Sequence, residues 1–266
     1  MHQFYKNSIG LVSLVLVGCN GGNTSDEQTP PTVDNPPPVT GNLPIPDNRY
    51  LDGYQVLLVG NSHVTANDLA QVLRGMLVKG TGKPVTSVVA PGWRYLDERL
   101  TDGVTRSTLQ GNDWSHVIWQ AQKYSTTGLY SYPTDASEHW IASSKQLGAT
   151  PILFPEHPRQ GNVEEGMRVY LLHKGIASRE ASCVAPVGPA WDAAIAAMPQ
   201  VAMHSDGNHA SIEGTFLTAL LFYQVISGEV SESLPYMPEI KVAEQHQAVL
   251  RQIASEAIQQ YGDCEY

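Results

Sequence analysis

The fold is decided by residues 55–63, which read QVLLVGNSH. Four apolar residues in a row, 56–59, are typical of a strand that is buried on both faces, as the strands of parallel sheets are. Residues 66–79 follow with apolar side chains at helical spacing, and Gly80 lies just past their end. This strand–helix unit places Ser62 at the carboxyl end of the first strand.

The same alternation of strand and helix continues along the chain. Further strands are predicted at residues 85–90, 114–119, 151–154 and 183–187, and further helices at 136–147, 163–179, from 189 onward, 212–226 and 242–261. Repeated strand–helix units imply a parallel sheet that carries helices on both faces, joined by right-handed crossovers. We therefore expect a three-layer α/β/α sandwich with a mostly parallel, five-stranded sheet.

Several residues of chemical interest follow predicted strand ends. Ser62, Gly92, Gln120 and Gln122 each come just after a strand. The carboxyl ends of parallel strands meet at one edge of the sheet, and this edge is where active sites of α/β proteins lie. The sequence therefore predicts one site to which all of these residues belong.

A second informative segment lies near the other end of the chain, where residues 206–209 read DGNH. This spacing lets the carboxylate of Asp206 and the imidazole of His209 reach one point. Together with the hydroxyl of Ser62 they could form a nucleophile, a general base and an orienting acid. Each motif alone is more often a turn or a surface pair. Their joint occurrence, in this order and with the strand pattern, predicts a serine hydrolase.

Four blocks of the sequence resemble the SGNH (GDSL-type) hydrolase superfamily. They fall between about residues 54 and 228 and are VLLVGNS at 56–62, Gly92 after the second strand, VIWQAQ at 117–122 and DGNH at 206–209. The resemblance implies a flavodoxin-like sandwich, an acyl-enzyme on Ser62, and a catalytic triad completed by His209 and Asp206. The first block departs from the family pattern at Asn61, where Asp is more usual.

The resemblance also implies an oxyanion hole, a set of donors for the negative charge that develops on the substrate's carbonyl oxygen. Its backbone donors would be the N–H groups of Ser62 and Gly92. The third donor is a side-chain amide, and Gln122 falls where the family has Asn. Residues 119–122, WQAQ, also resemble the Trp-x-Gln-Gly-Glu of sialate and xylan acetylesterase relatives, which makes Gln120 an equal candidate.

These relatives favour hydrolysis of carboxylic esters, and in particular removal of O-acetyl groups from carbohydrate. Two alternatives stay open, namely a lipase or thioesterase with a longer acyl preference and a non-catalytic surface lipoprotein that binds glycan. Under each enzyme hypothesis the substrate is a small-molecule or glycan ester, and no cofactor is expected. His204, Asp206 and His209 could be drawn as a metal site, but the triad already explains two of them and the chain has no His-Glu-x-x-His. We expect no metal.

Other residues near the predicted strand ends could belong to the same site. Aromatic side chains there either stack on a sugar or acyl group or belong to the core, and they are Trp93, Tyr95, Trp119 and Tyr124. Residues 156–158, Glu-His-Pro, follow the fourth strand and form either an edge of the pocket or a polar loop.

The first nineteen residues are predicted to be a targeting segment. The apolar run at residues 9–17 is too short to span a bilayer as a mature helix. It leads into LVGC at residues 16–19, which resembles a bacterial lipobox and implies a lipid on Cys19. Asn20 rather than Asp follows, which by the same resemblance favours the outer membrane over the inner, facing the periplasm or the surface. An ordinary cleaved signal and an uncleaved anchor are the alternatives.

The rest of the chain divides into a tether and one domain. Residues 20–49 are rich in Pro, Thr, Asn and Gly and have almost no large apolar side chains, so they are predicted to be disordered. Residues 50–266 are long enough for one hydrolase domain with a sizeable core. The sequence does not determine the oligomeric state, and a monomer is the expectation.

Charge and cysteine content limit the partners further. The chain has 16 Lys and Arg against 26 Asp and Glu, a net charge of −10. Such a balance argues against nucleic acid or anionic lipid as the main partner, so the only membrane contact expected is the lipid anchor. With Cys19 assigned to lipid, Cys183 and Cys264 are left either as a disulfide or as two free thiols.

Overall fold

The computed structural model describes residues 42–262 and 264–266 of the chain. Within this range five parallel strands form one sheet, in the order β2-β1-β3-β4-β5. The strands are β1 Tyr54–Val59, β2 Val85–Val89, β3 His116–Trp119, β4 Thr150–Leu153 and β5 Cys183–Val184. The helices are α1 Ser62–Thr65, α2 Leu69–Thr81, α3 Leu96–Arg99, α4 Val104–Gln110, α5 Asp135–Gln146, α6 Glu165–Arg179, α7 Val187–Ala197, α8 Ile212–Ser227 and α9 Glu244–Tyr261.

The sheet lies between two helical layers because successive residues of a strand face opposite sides. Val56 and Leu58 of β1 pack in a core with helices α2, α8 and α9. Leu57 and Val59 pack in a second core with helices α3, α5 and α6. All four side chains are completely buried, which accounts for the uninterrupted apolar run in the sequence. The predicted α/β/α sandwich with a parallel sheet is thus confirmed.

The carboxyl ends of the strands are level along one edge of the sheet. The register pairs Leu58 with Val89, Val59 with Trp119, and Trp119 with Leu153. The connections that leave this edge carry all the residues that the sequence analysis placed after strand ends. The strand order also puts β1, the strand that leads to Ser62, between β2 and β3.

Local boundaries differ from the predicted ones where backbone geometry interrupts a pattern. The helix predicted at residues 66–79 consists of a short 3₁₀ helix at Ala66–Asp68 followed by α2, and Asn67 and Asp68 have positive φ. Asn and Asp tolerate this left-handed conformation better than most residues do. Strand β5 is only two residues long, because α7 begins at Val187 directly after Pro186. The short helices α1, α3 and α4 were not predicted.

Residues 42–49, within the predicted tether, lie against the domain. The side chain of Ile45 is buried, and the Asn48 amide donates to the carbonyl oxygens of Ser115 and Gly148. Lys145 donates to the side chain of Asn42 at 2.7 Å. The backbone carbonyl oxygens of Leu43 and Pro46 also accept from Lys145 and Thr150. The composition of the segment does not reveal such contacts. The packed part of the chain therefore begins by residue 42 instead of residue 50.

The predicted signal segment 1–19, the lipid on Cys19 and residues 20–41 of the predicted tether lie outside the described residues. Within residues 42–262 and 264–266, none of the helices combines the length and the apolar character needed to cross a membrane.

A disulfide joins Cys183 of β5 to Cys264 near the end of the chain. It closes a loop over a sequence separation of 81 residues. A cross-link of this span stabilises a folded domain by about 4 kcal/mol in the chain-entropy model. The bond fastens the segment after α9 to the edge of the sheet.

Candidate active site

Ser62 begins the short helix α1 directly beyond the end of β1. Asn61 is the N-cap of this helix, and its side-chain oxygen accepts a hydrogen bond from the backbone N–H of His63. Asn caps helices as well as Asp does, so the departure from the family pattern at this position keeps the turn. Gly60 is required here, because a Cβ at that residue would lie 2.1 Å from the Gln120 side-chain oxygen.

The structure brings the predicted triad side chains together. The Oγ of Ser62 lies 2.8 Å from Nε2 of His209, across a sequence separation of 147 residues. The other ring nitrogen of His209, Nδ1, lies 2.8 Å from Oδ2 of Asp206. The carboxylate can only accept when ionised, so it fixes the proton on Nδ1 and leaves Nε2 free to take a proton from the serine.

Asp206 is held by the backbone of its own loop. Its Oδ1 accepts from the N–H groups of Asn208 and His209, at 3.0 and 2.7 Å, and Gly207 between them has a φ of +83°. These bonds, with the backbone N–H of His209 first, hold the pKa of the Asp206 carboxyl well below its ordinary value. The Asp206 carboxyl group is therefore ionised in the folded protein at neutral pH.

The loop after β4 supports the loop that carries His209. The Nε2 atoms of His157 and His204 lie 2.8 and 2.7 Å from the backbone carbonyl oxygens of Asn208 and Pro158. A carbonyl only accepts, so both imidazoles carry a proton on Nε2. The ring of His157 is stacked on Trp191, with ring centroids 3.9 Å apart. These contacts fix the position of His209 relative to the sheet.

A cavity of about 580 Å³ opens to solvent beside Ser62 and His209. Polar and aromatic side chains make up most of its lining, with Asn61, His63, Tyr95, Lys123, Tyr124, Thr126, Tyr132, Glu156, Arg159 and Asn208 joining Ser62 and His209. Of the aromatic residues named from the sequence, Tyr95 and Tyr124 therefore belong to the cavity. Trp119 is completely buried in the core, and Trp93 is exposed and outside the lining.

Burial shifts the pKa values of two ionisable groups in the lining. Burial raises the pKa of Glu156 to about 7, and it lowers the pKa of His63 to about 4. The His63 ring contacts that of His209, with centroids 5.1 Å apart. At neutral pH His63 is uncharged, so it adds no positive charge beside His209.

Of the predicted oxyanion donors, Gly92 lies in a loop that is bonded to the turn of Ser62 through Arg99. Gly92 has a φ of +79°, and its carbonyl oxygen accepts a hydrogen bond from the buried guanidinium of Arg99. The same guanidinium donates to the carbonyl of Gly60 at 2.7 Å. Arg99 therefore ties the loop of Gly92 to the turn of Ser62. No sequence signal pointed to Arg99, because a lone arginine in a short helix is usually a surface residue.

The two glutamines proposed as amide donors are engaged elsewhere and do not line the cavity. The Gln122 amide nitrogen donates to the backbone carbonyls of Lys123 and Pro133, and its oxygen accepts from Ser137. Gln120 is completely buried and is bonded to Asn61 and Glu156. The strand-end position was predicted correctly for both residues, but the direction of each amide depends on partners distant in sequence.

No cluster of three or more His, Cys, Asp and Glu side chains in the described part of the chain has an arrangement that could hold a metal ion.

Comparison with known proteins finds solved structures of similar fold. No protein-family model matches the sequence, and no curated protein matches it. Among solved structures, a DUF4886 family protein from Bacteroides uniformis is similar at a TM-score of 0.61 and 16% identity, over 80% of this chain and 98% of that one. The two proteins share one fold.

Two further solved structures show that this fold is the one found in SGNH hydrolases. A protein from Slackia heliotrinireducens, provisionally assigned as an SGNH hydrolase, is similar at a TM-score of 0.51 and 20% identity, over 65% of this chain and 98% of that one. A variant of an acetyl xylan esterase from Geobacillus stearothermophilus is similar at a TM-score of 0.54 and 14% identity, over 68% of this chain and 98% of that one.

Proposed function

We propose that this protein hydrolyses carboxylic esters through an acyl-enzyme formed on Ser62. The observation that carries the proposal is the unbroken chain of hydrogen bonds from Ser62 through His209 to Asp206, at the mouth of a solvent-open cavity. A hydroxyl, an imidazole and an ionised carboxylate in this order are the parts that serine hydrolysis needs. The shared fold with SGNH hydrolases and an acetyl xylan esterase supports the same reaction class.

In the proposed reaction the Oγ of Ser62 attacks the ester carbonyl carbon while Nε2 of His209 takes the hydroxyl proton. The tetrahedral intermediate collapses when His209 returns that proton to the leaving alcohol. Water, activated by the same imidazole, then cleaves the acyl-enzyme. Asp206 keeps the proton on Nδ1 throughout and stabilises the imidazolium that forms between these steps.

The oxyanion of the intermediate is assigned to the backbone N–H groups of Ser62 and Gly92. The support for Gly92 is its positive φ and the Arg99 bridge that holds its loop to the turn of Ser62. Losing one such donor typically lowers kcat by about 10²- to 10³-fold. Gln120 and Gln122 would each have to give up their present partners to contribute a donor.

The cavity supports a carbohydrate ester with a short acyl group as the substrate. The rings of Tyr95, Tyr124 and Tyr132 can stack against sugar faces, while Arg159 and Asn208 offer donors for hydroxyl groups. A long acyl chain would need a mostly apolar channel, which these side chains do not form. O-acetyl groups on carbohydrate are therefore proposed over the acyl chains that a lipase or thioesterase would take.

The lipid anchor and the cell envelope belong to the same proposal. The lipobox-like residues 16–19 support attachment through Cys19. A disulfide between Cys183 and Cys264 supports an oxidising compartment outside the cytoplasm. Radiolabelled palmitate should enter the chain in a bacterial host and should not enter a Cys19→Ala variant. Equal labelling of both would reject the anchor.

Purified full-length protein in detergent should hydrolyse p-nitrophenyl acetate and release acetate from acetylated xylooligosaccharides. Ser62→Ala should lower kcat by about 10⁴-fold or more. Ser178→Ala is a suitable control, because Ser178 is an exposed serine outside the cavity lining, and its hydroxyl donates to the Gly175 carbonyl within its own helix α6. Retained hydrolysis in the Ser62 variant would reject the nucleophile, and equal rates on acetate and longer acyl esters would reject the short acyl preference.

A further inference from the structure

Gln120 connects the turn of Ser62 to the largely buried carboxyl group of Glu156, which lies in the loop after β4. Its side-chain oxygen accepts a hydrogen bond from the backbone N–H of Asn61 at 2.8 Å. Its side-chain nitrogen donates to Oε1 of Glu156. The amide is completely buried, so water cannot replace either partner. The residue that precedes the proposed nucleophile is thus fastened to Glu156 through one amide group.

Only one orientation of this amide satisfies both partners. The Asn61 N–H is a donor and requires an oxygen opposite it, while the Glu156 carboxyl presents an acceptor oxygen and requires an N–H. A flipped amide would place two N–H groups together and two oxygens together. Each buried polar group left without a partner disfavours the flipped orientation by about 5- to 150-fold. Glu156 therefore determines which end of the Gln120 amide faces Asn61.

We propose that Glu156 is a positioning residue, which orients the Gln120 amide and through it fixes the peptide that leads into Ser62. The proposal rests on the function proposed above for Ser62. It accounts for both residues, since Gln120 is hydrogen-bonded to the turn that leads into Ser62 and Glu156 is hydrogen-bonded to Gln120. The backbone N–H of Ser62 and the direction of its hydroxyl both depend on that peptide.

The surroundings of Glu156 keep its oxygens in place. The Tyr124 hydroxyl donates to Oε2 at 3.2 Å, and Nε2 of His63 lies 3.7 Å from the same oxygen. The Glu156 side chain is 12% exposed and faces the cavity. Burial raises its pKa to about 7, and in either protonation state one oxygen still accepts from the Gln120 amide. Gly60 completes the arrangement by leaving room for the amide.

A carboxyl–amide exchange between positions 120 and 156 tests the proposal. Gln120→Glu alone sets two carboxyl groups against each other. Measured well above the Glu156 pKa of about 7, so that the pair does not share a proton, this variant should lower kcat for p-nitrophenyl acetate by about 10- to 100-fold, with KM changed less than about threefold. Adding Glu156→Gln restores a donor opposite the new carboxylate, which still accepts from the Asn61 N–H. The double variant should recover most of the lost kcat. Such rescue is not expected from residues that merely fill space.

Amide hydrogen exchange of Asn61, followed by NMR on the full chain, gives a readout that does not depend on activity. Glu156→Leu removes the acceptor for Gln120 and should speed exchange at Asn61 by about tenfold or more, while the double exchange variant should stay close to the natural protein. Gln247→Glu is the matched control, because Gln247 is equally buried but bonds to Met237 and Val242, away from the site.

The two proposals fail in different ways. If the natural protein hydrolyses no ester, the proposed function fails, and the exchange rates at Asn61 still decide the role of Glu156. If Glu156→Leu leaves Asn61 exchange unchanged, or if the double variant is no better than Gln120→Glu alone, the positioning role is overturned. Should Glu156→Leu fail to fold, the comparison of Gln120→Glu with the double variant decides by itself.

Discussion

Replacing Asp206 by Asn should reverse the proton on the His209 ring. In the natural protein Oδ1 of Asp206 accepts from two backbone N–H groups, and Oδ2 faces Nδ1 of His209. An asparagine oxygen would keep the two backbone donors, since the opposite orientation sets an NH₂ group against both. The amide nitrogen would then face Nδ1, which must give up its proton to accept. Nε2 would carry the proton and could no longer take one from Ser62.

The size of the effect follows from these bonds. Each backbone hydrogen bond favours the inactive orientation by about threefold to tenfold at so exposed a site, so two give roughly 10- to 100-fold. Loss of the negative charge beside the imidazolium removes about another 10- to 100-fold. We therefore expect kcat for p-nitrophenyl acetate to fall by about 10²- to 10⁴-fold in Asp206→Asn.

Two measurements check this prediction. Initial rates give kcat, and ¹⁵N NMR of the His209 ring reports which nitrogen carries the proton. The natural protein should show the proton on Nδ1 and Asp206→Asn should show it on Nε2. An Asp206→Asn variant that keeps more than a tenth of natural kcat, or that keeps the Nδ1–H form, would refute the assigned hydrogen-bond pattern.

Three further predictions concern the frame around the site. Gly60→Ala should lower the free energy of unfolding by about 1–3 kcal/mol in urea titrations, because its Cβ would lie 2.1 Å from a buried amide oxygen. The control is Gly75→Ala, which should be neutral or stabilising because its Cβ would lie 3.6 Å from its nearest neighbour. Reduction of the Cys183–Cys264 bond should lower the free energy of unfolding by about 4 kcal/mol, and an unchanged urea midpoint would contradict its structural role. Burial lowers the pKa of His63 from 6.5 to about 4, so the unfolded chain binds more protons between these values. The stability due to neutral His63 should be complete above pH 6.5 and decline by up to about 3 kcal/mol toward pH 4, and His63→Gln should flatten that decline in unfolding curves measured across pH.

The sequence was sufficient to predict the sheet because burial leaves a direct mark on composition. Residues 56–59 are apolar without interruption since each β1 side chain enters one of two cores. The convergence of Ser62 with residues 206–209 could be predicted as well, because parallel strands end at one edge and the Asp-x-x-His turn is local. Both inferences depend on short-range patterns and on the general geometry of α/β sheets.

What could not be predicted depends on single partners that are distant in sequence. The amide of Gln122 bonds to residues that include Ser137 on α5, and that of Gln120 bonds to Glu156 after β4. Position at a strand end does not state which way an amide points. Arg99 was missed for the same reason, since its carbonyl partners come from two separate loops. Residues 42–49 are attached to the domain by a few individual contacts, and the average composition of the segment does not show them.

The most direct test is to locate the adduct of a fluorophosphonate probe by peptide mass spectrometry, in the natural protein and in a His209→Ala variant. The probe should modify the peptide that contains Ser62 in the natural protein, and the His209→Ala variant should be modified far more slowly. An adduct on any other serine, or equal labelling of Ser62 in both proteins, would contradict activation of this hydroxyl by this imidazole.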